Sequence, residues 1–199
     1  MLQLQQRGCH NINFVSPSHV VAEILEALVI AVEAGLKIPL VYNTGGYDSP
    51  EALQLLDGVV DIYMPDMKYA DRLTARRHSK IGNYPAVNQS AVREMHRQVG
   101  DLQLDERGIA QRGLLIRHLV LPENLAGTKS IVHFLAEEIS PNTYLNLMNQ
   151  YHPAYRAAMY PPLDRSLTAQ EYENAIILAK QAGLERLDDR KPSIFMRWD

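Results

Sequence analysis

The sequence predicts an α/β fold on a parallel sheet that curls toward a barrel, and three observations predict it. Short runs rich in Val, Ile and Leu alternate with stretches of helical period, the pattern of parallel strands covered by helices. Each such run ends in a cluster of polar residues. No G-x-G-x-x-G or Walker sequence follows a strand, which removes the support for a doubly wound nucleotide-binding fold. The 199 residues fit one domain spanning 1–199.

The chain opens on residues 1–8, which read as the last turns of a helix closing on Gly8. The first strand is expected at 10–15, and Ser16 or Ser18 can cap the helix after it, with Pro17 in its first turn. That helix places Val20, Val21, Ile24, Leu25, Leu28, Ala31 and Val32 at helical spacing, and Glu23, Glu26 and Glu33 exclude a membrane span. Strands follow at 38–42, 59–64, 114–121 and 143–148. Ser49 and Pro50 open a short helix, and longer helices are expected at 70–79, 88–99, 127–138 and 168–182. Residues 102–112 read as a hairpin turning near Gly108. The Pro- and Tyr-rich run 151–163 has neither period and reads as an ordered loop. A domain that begins inside a βα unit is expected to lack its first unit, exposing the edge of the first strand.

A net charge of −3 gives no electrostatic reason to expect nucleic acid or a membrane as partner. The basic cluster Arg72, Arg76, Arg77, His78 and Lys80 reads as a solvated helix face. One cysteine, Cys9, allows no internal disulfide and fits a reducing, cytoplasmic setting. It also leaves this chain unable to build a cysteine-ligated zinc or iron–sulfur site by itself.

In parallel α/β folds, ligands bind beyond the carboxyl ends of the strands. Here those positions hold Ser16, Ser18, His19, Asn43, Thr44, Asp66, Lys68, Glu123, Asn124, Asn149, Gln150 and His152, all polar. Asp66 and Lys68, two residues apart, share a face if the strand persists. They suit a zwitterionic or ribose-bearing ligand, a Schiff base on Lys68, or a structural ion pair. Arg117 interrupts an apolar strand, so it either points inward toward an anion or pairs with a carboxylate such as Asp61. His118 faces the other way and reads as a packed, hydrogen-bonded histidine. His152 precedes Pro153 and is expected to contact ligand.

At these strand ends the sequence resembles the radical-SAM family, in particular relatives of pyruvate formate-lyase activating enzyme. The segment NINFVSPSH (11–19) is similar to the second strand, where relatives carry Gly-Gly-Glu-Pro. VYNTGGY (41–47) resembles an Asp-Thr-Asn-Gly strand end with Asn43 in place of the aspartate. DIYMPDMK (61–68) resembles an Asp-Leu-Lys strand end, IRHLVLP (116–122) the arginine-bearing fifth strand, and QYH (150–152) the end of the last. The resemblance implies a partial TIM-like barrel of six βα units, here without its first. It implies S-adenosylmethionine surrounded by Ser16, Asn43, Asp66, Lys68, Arg117 and His152, a 4Fe-4S cluster, and a glycyl-radical enzyme or other protein as hydrogen donor. Relatives cleave S-adenosylmethionine reductively. The Cys-x3-Cys-x2-Cys motif that holds their cluster is absent, and Cys9 matches none of its ligands. As it stands, the chain is therefore expected to be inactive, with no catalytic residue of its own. A cluster-free barrel lyase using Lys68 and a non-catalytic binding protein are the alternatives.

Overall fold

The alternation of apolar runs and amphipathic stretches resolves into a six-stranded sheet with its helices packed against one face. The structure, a computed structural model, describes residues 1–188. After α1 (Leu2–Gln6) come β1 (Ile12–Val15), α2 (Val21–Glu33), β2 (Leu40–Thr44), α3 (Pro50–Leu55) and β3 (Ile62–Met67). Two helices, α4 (Arg72–Ser79) and α5 (Tyr84–Val99), precede β4 (Gln103–Leu104) and β5 (Ala110–Leu119). The chain continues through α6 (Thr128–Phe134), β6 (Tyr144–Met148) and α7 (Ala169–Gln181).

β1, β2, β3, β5 and β6 are parallel and lie side by side in chain order, while β4 turns back antiparallel on β5. After α7, Leu187 bridges Leu145 in parallel, so the next segment continues the same progression. The order never reverses, so there is no switch point of the doubly wound kind. Right-handed crossovers then put every helix on the same side.

Registration identifies the two faces, because residues paired in a parallel ladder share a face and successive residues alternate. Tyr42, Tyr63, Leu114, Ile116, Leu145 and Leu147 face the helices and join Leu53, Val92, Met95, Ile131 and Ala179 in the main core. Burying a side chain of this size stabilises the fold by about 1.5–3 kcal/mol. The opposite face carries Val41 and Ile62, covered by Leu102 beside the hairpin, and then becomes half-exposed at Met64, Leu115 and Tyr144. That open face leads to the strand ends.

Several boundaries move from those expected. β3 runs three residues further than its apolar run, because Pro65 pairs in register with Thr44 instead of ending the strand. α5 starts at Tyr84, where Pro85 suits the first turn. Neither Ser16 nor Ser18 caps α2: a 3-10 turn at Pro17–His19 intervenes, and Ser16 adopts a left-handed φ of 54°. Ser49 does cap α3, accepting from the Ala52 amide at 3.1 Å. Among the described residues, no helix is long and apolar enough to cross a membrane.

Candidate binding site at the strand ends

β3 and β5 pair Asp66 with Arg117, and β5 and β6 pair Arg117 with Asn146. Asn43 pairs with Met64, two residues before Asp66, so Asn43, Asp66, Arg117 and Asn146 all lie on the open face. Lys68 Nζ donates to Asp66 Oδ2 at 2.7 Å, and Arg117 meets Asp66 Oδ1 through Nη2 at 2.7 Å and Nε at 2.8 Å. One carboxylate thus holds two cations. The side chains are 13% exposed at Asp66, 27% at Arg117 and 38% at Lys68, so the cluster opens to solvent instead of sitting in the core.

The partner of Arg117 is therefore Asp66, not Asp61. Asp61 lies five residues earlier, about 16 Å along an extended strand, and accepts from the Leu40 amide at 2.8 Å, which secures the start of β2.

Asn43 is 7% exposed, and among the described residues the buried side-chain atom left without a partner is Oδ1 of Asn88 on α5. Asn43 sits in the strand where a polar ligand would meet it. Ser16 joins Asn43 only through the backbone, its N–H donating to the Asn43 carbonyl at 2.7 Å, and its side chain is exposed. His152 is exposed, with Nδ1 3.3 Å from the Gln150 carbonyl, and no hydrogen bond or ion pair joins it to Asp66, Lys68 or Arg117. Geometry thus unites four of the six expected residues and leaves Ser16 and His152 at the margin.

Buried polar groups hold the loops beneath. Asp48, 2% exposed, accepts from Ser18 Oγ at 2.6 Å, Thr44 Oγ1 at 2.7 Å and the Tyr42 hydroxyl at 3.0 Å. Burial, with the Asp48 charge beside it, pushes the Tyr42 phenol far above its usual range. Tyr84 on α5 accepts from the Lys68 amide at 3.1 Å and its hydroxyl lies 3.0 Å from the carbonyls of both Gly45 and Asp66. Asn88 donates to the carbonyls of Gly46 and Asp66, both at 2.9 Å. One helix therefore clamps the loops after β2 and β3 to each other.

Asp48→Asn is expected to lose about 1–3 kcal/mol, since the new amide donor must face hydroxyls that donated to the carboxylate. For a chain of this size that is a fall in Tm of roughly 2–12 °C. An unchanged melting curve would show that the three hydroxyls do not depend on the charge.

Among the described residues, no group of three His, Cys, Asp or Glu is placed to hold a metal ion, and Cys9 is exposed.

No family model matches the chain. Over 182 residues it is 33% identical to an uncharacterized protein of Methanocaldococcus jannaschii, an alignment covering 90% of this chain and 48% of that protein. The chain thus spans about half the length of this curated relative. Its fold is similar to a crystallised domain of pyruvate-formate lyase-activating enzyme from Bacteroides vulgatus. The TM-score is 0.57, at 12% identity over 89% of this chain and 96% of that one. At such identity the likeness concerns the fold alone.

Proposed function

We propose that the open face of the sheet binds S-adenosylmethionine, in a single domain at 1–199 that forms a radical-SAM-like partial barrel related to glycyl-radical activating enzymes. The observation that carries this reading is the Lys68–Asp66–Arg117 cluster, which shares one polar strand-end face with Asn43. The similarity in fold to an activating-enzyme domain supports it. Strands in chain order with helices on one side are the arrangement of an incomplete barrel.

Asn43 would satisfy a polar group of the ligand, and Asp66 suits its ammonium or ribose hydroxyls. Arg117, with Nη1 outside its pair with Asp66, suits the carboxylate. Ser16 and His152 would reach the ligand only from the rim. Bound S-adenosylmethionine supplies a sulfonium whose reductive cleavage yields a 5′-deoxyadenosyl radical, which in an activating enzyme would act on a glycyl-radical enzyme. A 4Fe-4S cluster does not fit this chain, because one exposed cysteine cannot replace three thiolate ligands. The chain by itself therefore binds without cleaving. Lys68 is ion-paired and more than a third exposed, unlike the desolvated lysine that Schiff-base chemistry favours.

Calorimetry with S-adenosylmethionine tests the reading. Binding is expected to weaken tenfold or more, about 1.4 kcal/mol, in Asn43→Ala and in Arg117→Ala. The reading fails if there is no heat of binding, or if both variants bind like the unaltered chain.

A further inference from the structure

The loop after β6 folds over the end of α4, and a cavity of about 320 Å³ lies between them. Its lining is unlike that of the strand-end site. Arg77, His78 and Lys80 come from the last turn and cap of α4, and Arg156 comes from the facing loop. Tyr69, Tyr155 and Tyr160 supply flat walls, and no acidic residue takes part. None of these four basic side chains forms a salt bridge among the described residues, whereas Arg93, Arg97, Arg117 and Arg165 are all paired with carboxylates.

Basic residues in the last turn of a helix complement its dipole, which accounts for Arg77 and His78 by themselves. It does not account for Arg156, which arrives from a loop some eighty residues further along the chain. Some of the lining groups touch one another, although Tyr155 is 91% exposed. His78 packs edge to face on Tyr160 with ring centroids 6.1 Å apart, the Arg156 guanidinium lies 5.2 Å over the Tyr155 ring, and the Ser79 hydroxyl donates to Tyr69 at 3.2 Å. Across the mouth, the Tyr151 hydroxyl donates to the Leu163 carbonyl at 2.7 Å and closes the loop on itself. Burial, followed by the charges of Arg77 and Lys80, holds His78 below the usual histidine value. Lys80 spends one proton on the Arg77 carbonyl at 3.1 Å, and its other two stay available.

We infer that this cavity is a binding site for a small organic phosphate bearing a planar ring, of the size of a nucleoside monophosphate. Cations converging from two sides suit the several oxygens of a phosphate, which a single guanidinium cannot fully engage. The tyrosines offer faces for a ring. The volume lies at the lower end of small-molecule sites, about 300–1,000 Å³, too small for a folded partner. The lining shares no residue with the strand-end cluster, although Tyr69 directly follows Lys68, so the inference does not rest on the function proposed above.

The probes are AMP, adenosine and inorganic phosphate, titrated by calorimetry into the chain at low and raised salt. AMP is expected to bind one to one, to weaken with salt, and to bind at least tenfold more tightly than adenosine or phosphate. Arg156→Ala and Arg77→Ala are each expected to weaken AMP tenfold or more. Both side chains are exposed and outside any salt bridge, so unchanged melting curves will show that the fold survives. Asn43→Ala is expected to leave AMP binding unaltered. The site is overturned if AMP fails to bind at millimolar concentration or if binding survives both arginine substitutions. It is also overturned if binding is lost with Asn43→Ala, which would place AMP on the strand-end face. Equal affinity for phosphate and AMP would overturn the part assigned to the tyrosines.

Discussion

Gly46→Ala is expected to destabilise the chain by about 3–5 kcal/mol, the largest effect of any single methyl added near the strand ends. Gly46 has φ 74°, where an ordinary residue pays about 1–2 kcal/mol. Space is the greater part. A Cβ there would overlap Asn88 Nδ2 and the Asp66 carbonyl oxygen, the two groups that join α5 to the loops after β2 and β3. Relief requires Asn88 to withdraw, breaking bonds to the Gly46 and Asp66 carbonyls worth about 0.5–1.5 kcal/mol each. Gly58→Ala is the matched control, because Gly58 has φ 78° but nothing within 4 Å of its added Cβ. The two glycines share the conformational cost and differ only in the overlap. Thermal melts are expected to put Gly46→Ala well below Gly58→Ala, by roughly 4–12 °C given 2–4 °C per kcal/mol. Equal melting temperatures would mean that the loop after β2 yields without cost. The same substitution should weaken S-adenosylmethionine binding, since Asp66 moves with the loop.

The parts of the fold visible in the sequence were those written by periodicity. β1, β2, β3, β5 and β6 all lie where apolar runs predict them, because a strand buried under helices needs a continuous apolar stretch. Their ends were less legible. Pro65 reads as a terminator, yet β3 continues through it to Met67, which brings Asp66 into the ladder as a carboxylate for Arg117 in place of Asp61. Once Asp66 is aligned opposite Arg117, the ion pair follows from geometry alone.

The candidate site was half legible for a similar reason. Polar residues after apolar strands mark Asn43, Asp66 and Lys68, and the interruption of an apolar strand marks Arg117; all four share a face. Ser16 and His152 carry the same signature, but they lie beyond their strands, where no ladder directs the side chain. Asn146 was missed because it lies within a strand whose neighbours are apolar. Its signal was the interruption itself, the same signal that exposed Arg117. Asp48, Tyr84 and Asn88 act from a loop and from α5, and only tertiary packing brings them under the strand ends. The basic cluster on α4 has the pattern of a solvated face in the sequence, because its counterpart, Arg156, lies in a loop without period.

Between pH 6.5 and 4, His118 is expected to make stability fall as pH falls, by about 3 kcal/mol across the window. His118 is fully buried, with Nδ1 2.7 Å from the Met67 carbonyl and Nε2 2.9 Å from Thr128 Oγ1. The carbonyl can only accept, so Nδ1 carries the proton and Nε2 accepts from the threonine hydroxyl. Both bonds are satisfied in the neutral ring. A second proton would have to displace the Thr128 hydroxyl, and burial accordingly pushes the histidine down to about 4. The unfolded chain keeps the ordinary value near 6.5. Below that pH the unfolded state binds a proton that the folded state refuses, so protonation drives unfolding until the folded ring also titrates near 4. Carboxylates held low, such as Glu94 at about 2 beside Arg97, lose their contribution only as pH falls further, from about 4.5. His78, also held below its usual value, acts in the same direction as His118 but is partly exposed, so its share is smaller. His118→Asn separates the two. The amide can still donate toward Met67 but cannot titrate, so this variant is expected to be less stable at pH 8 and flatter between pH 6.5 and 4.5. Urea titrations of both chains at half-unit intervals measure the difference. Parallel curves would show that the His118 ring is not the group that titrates.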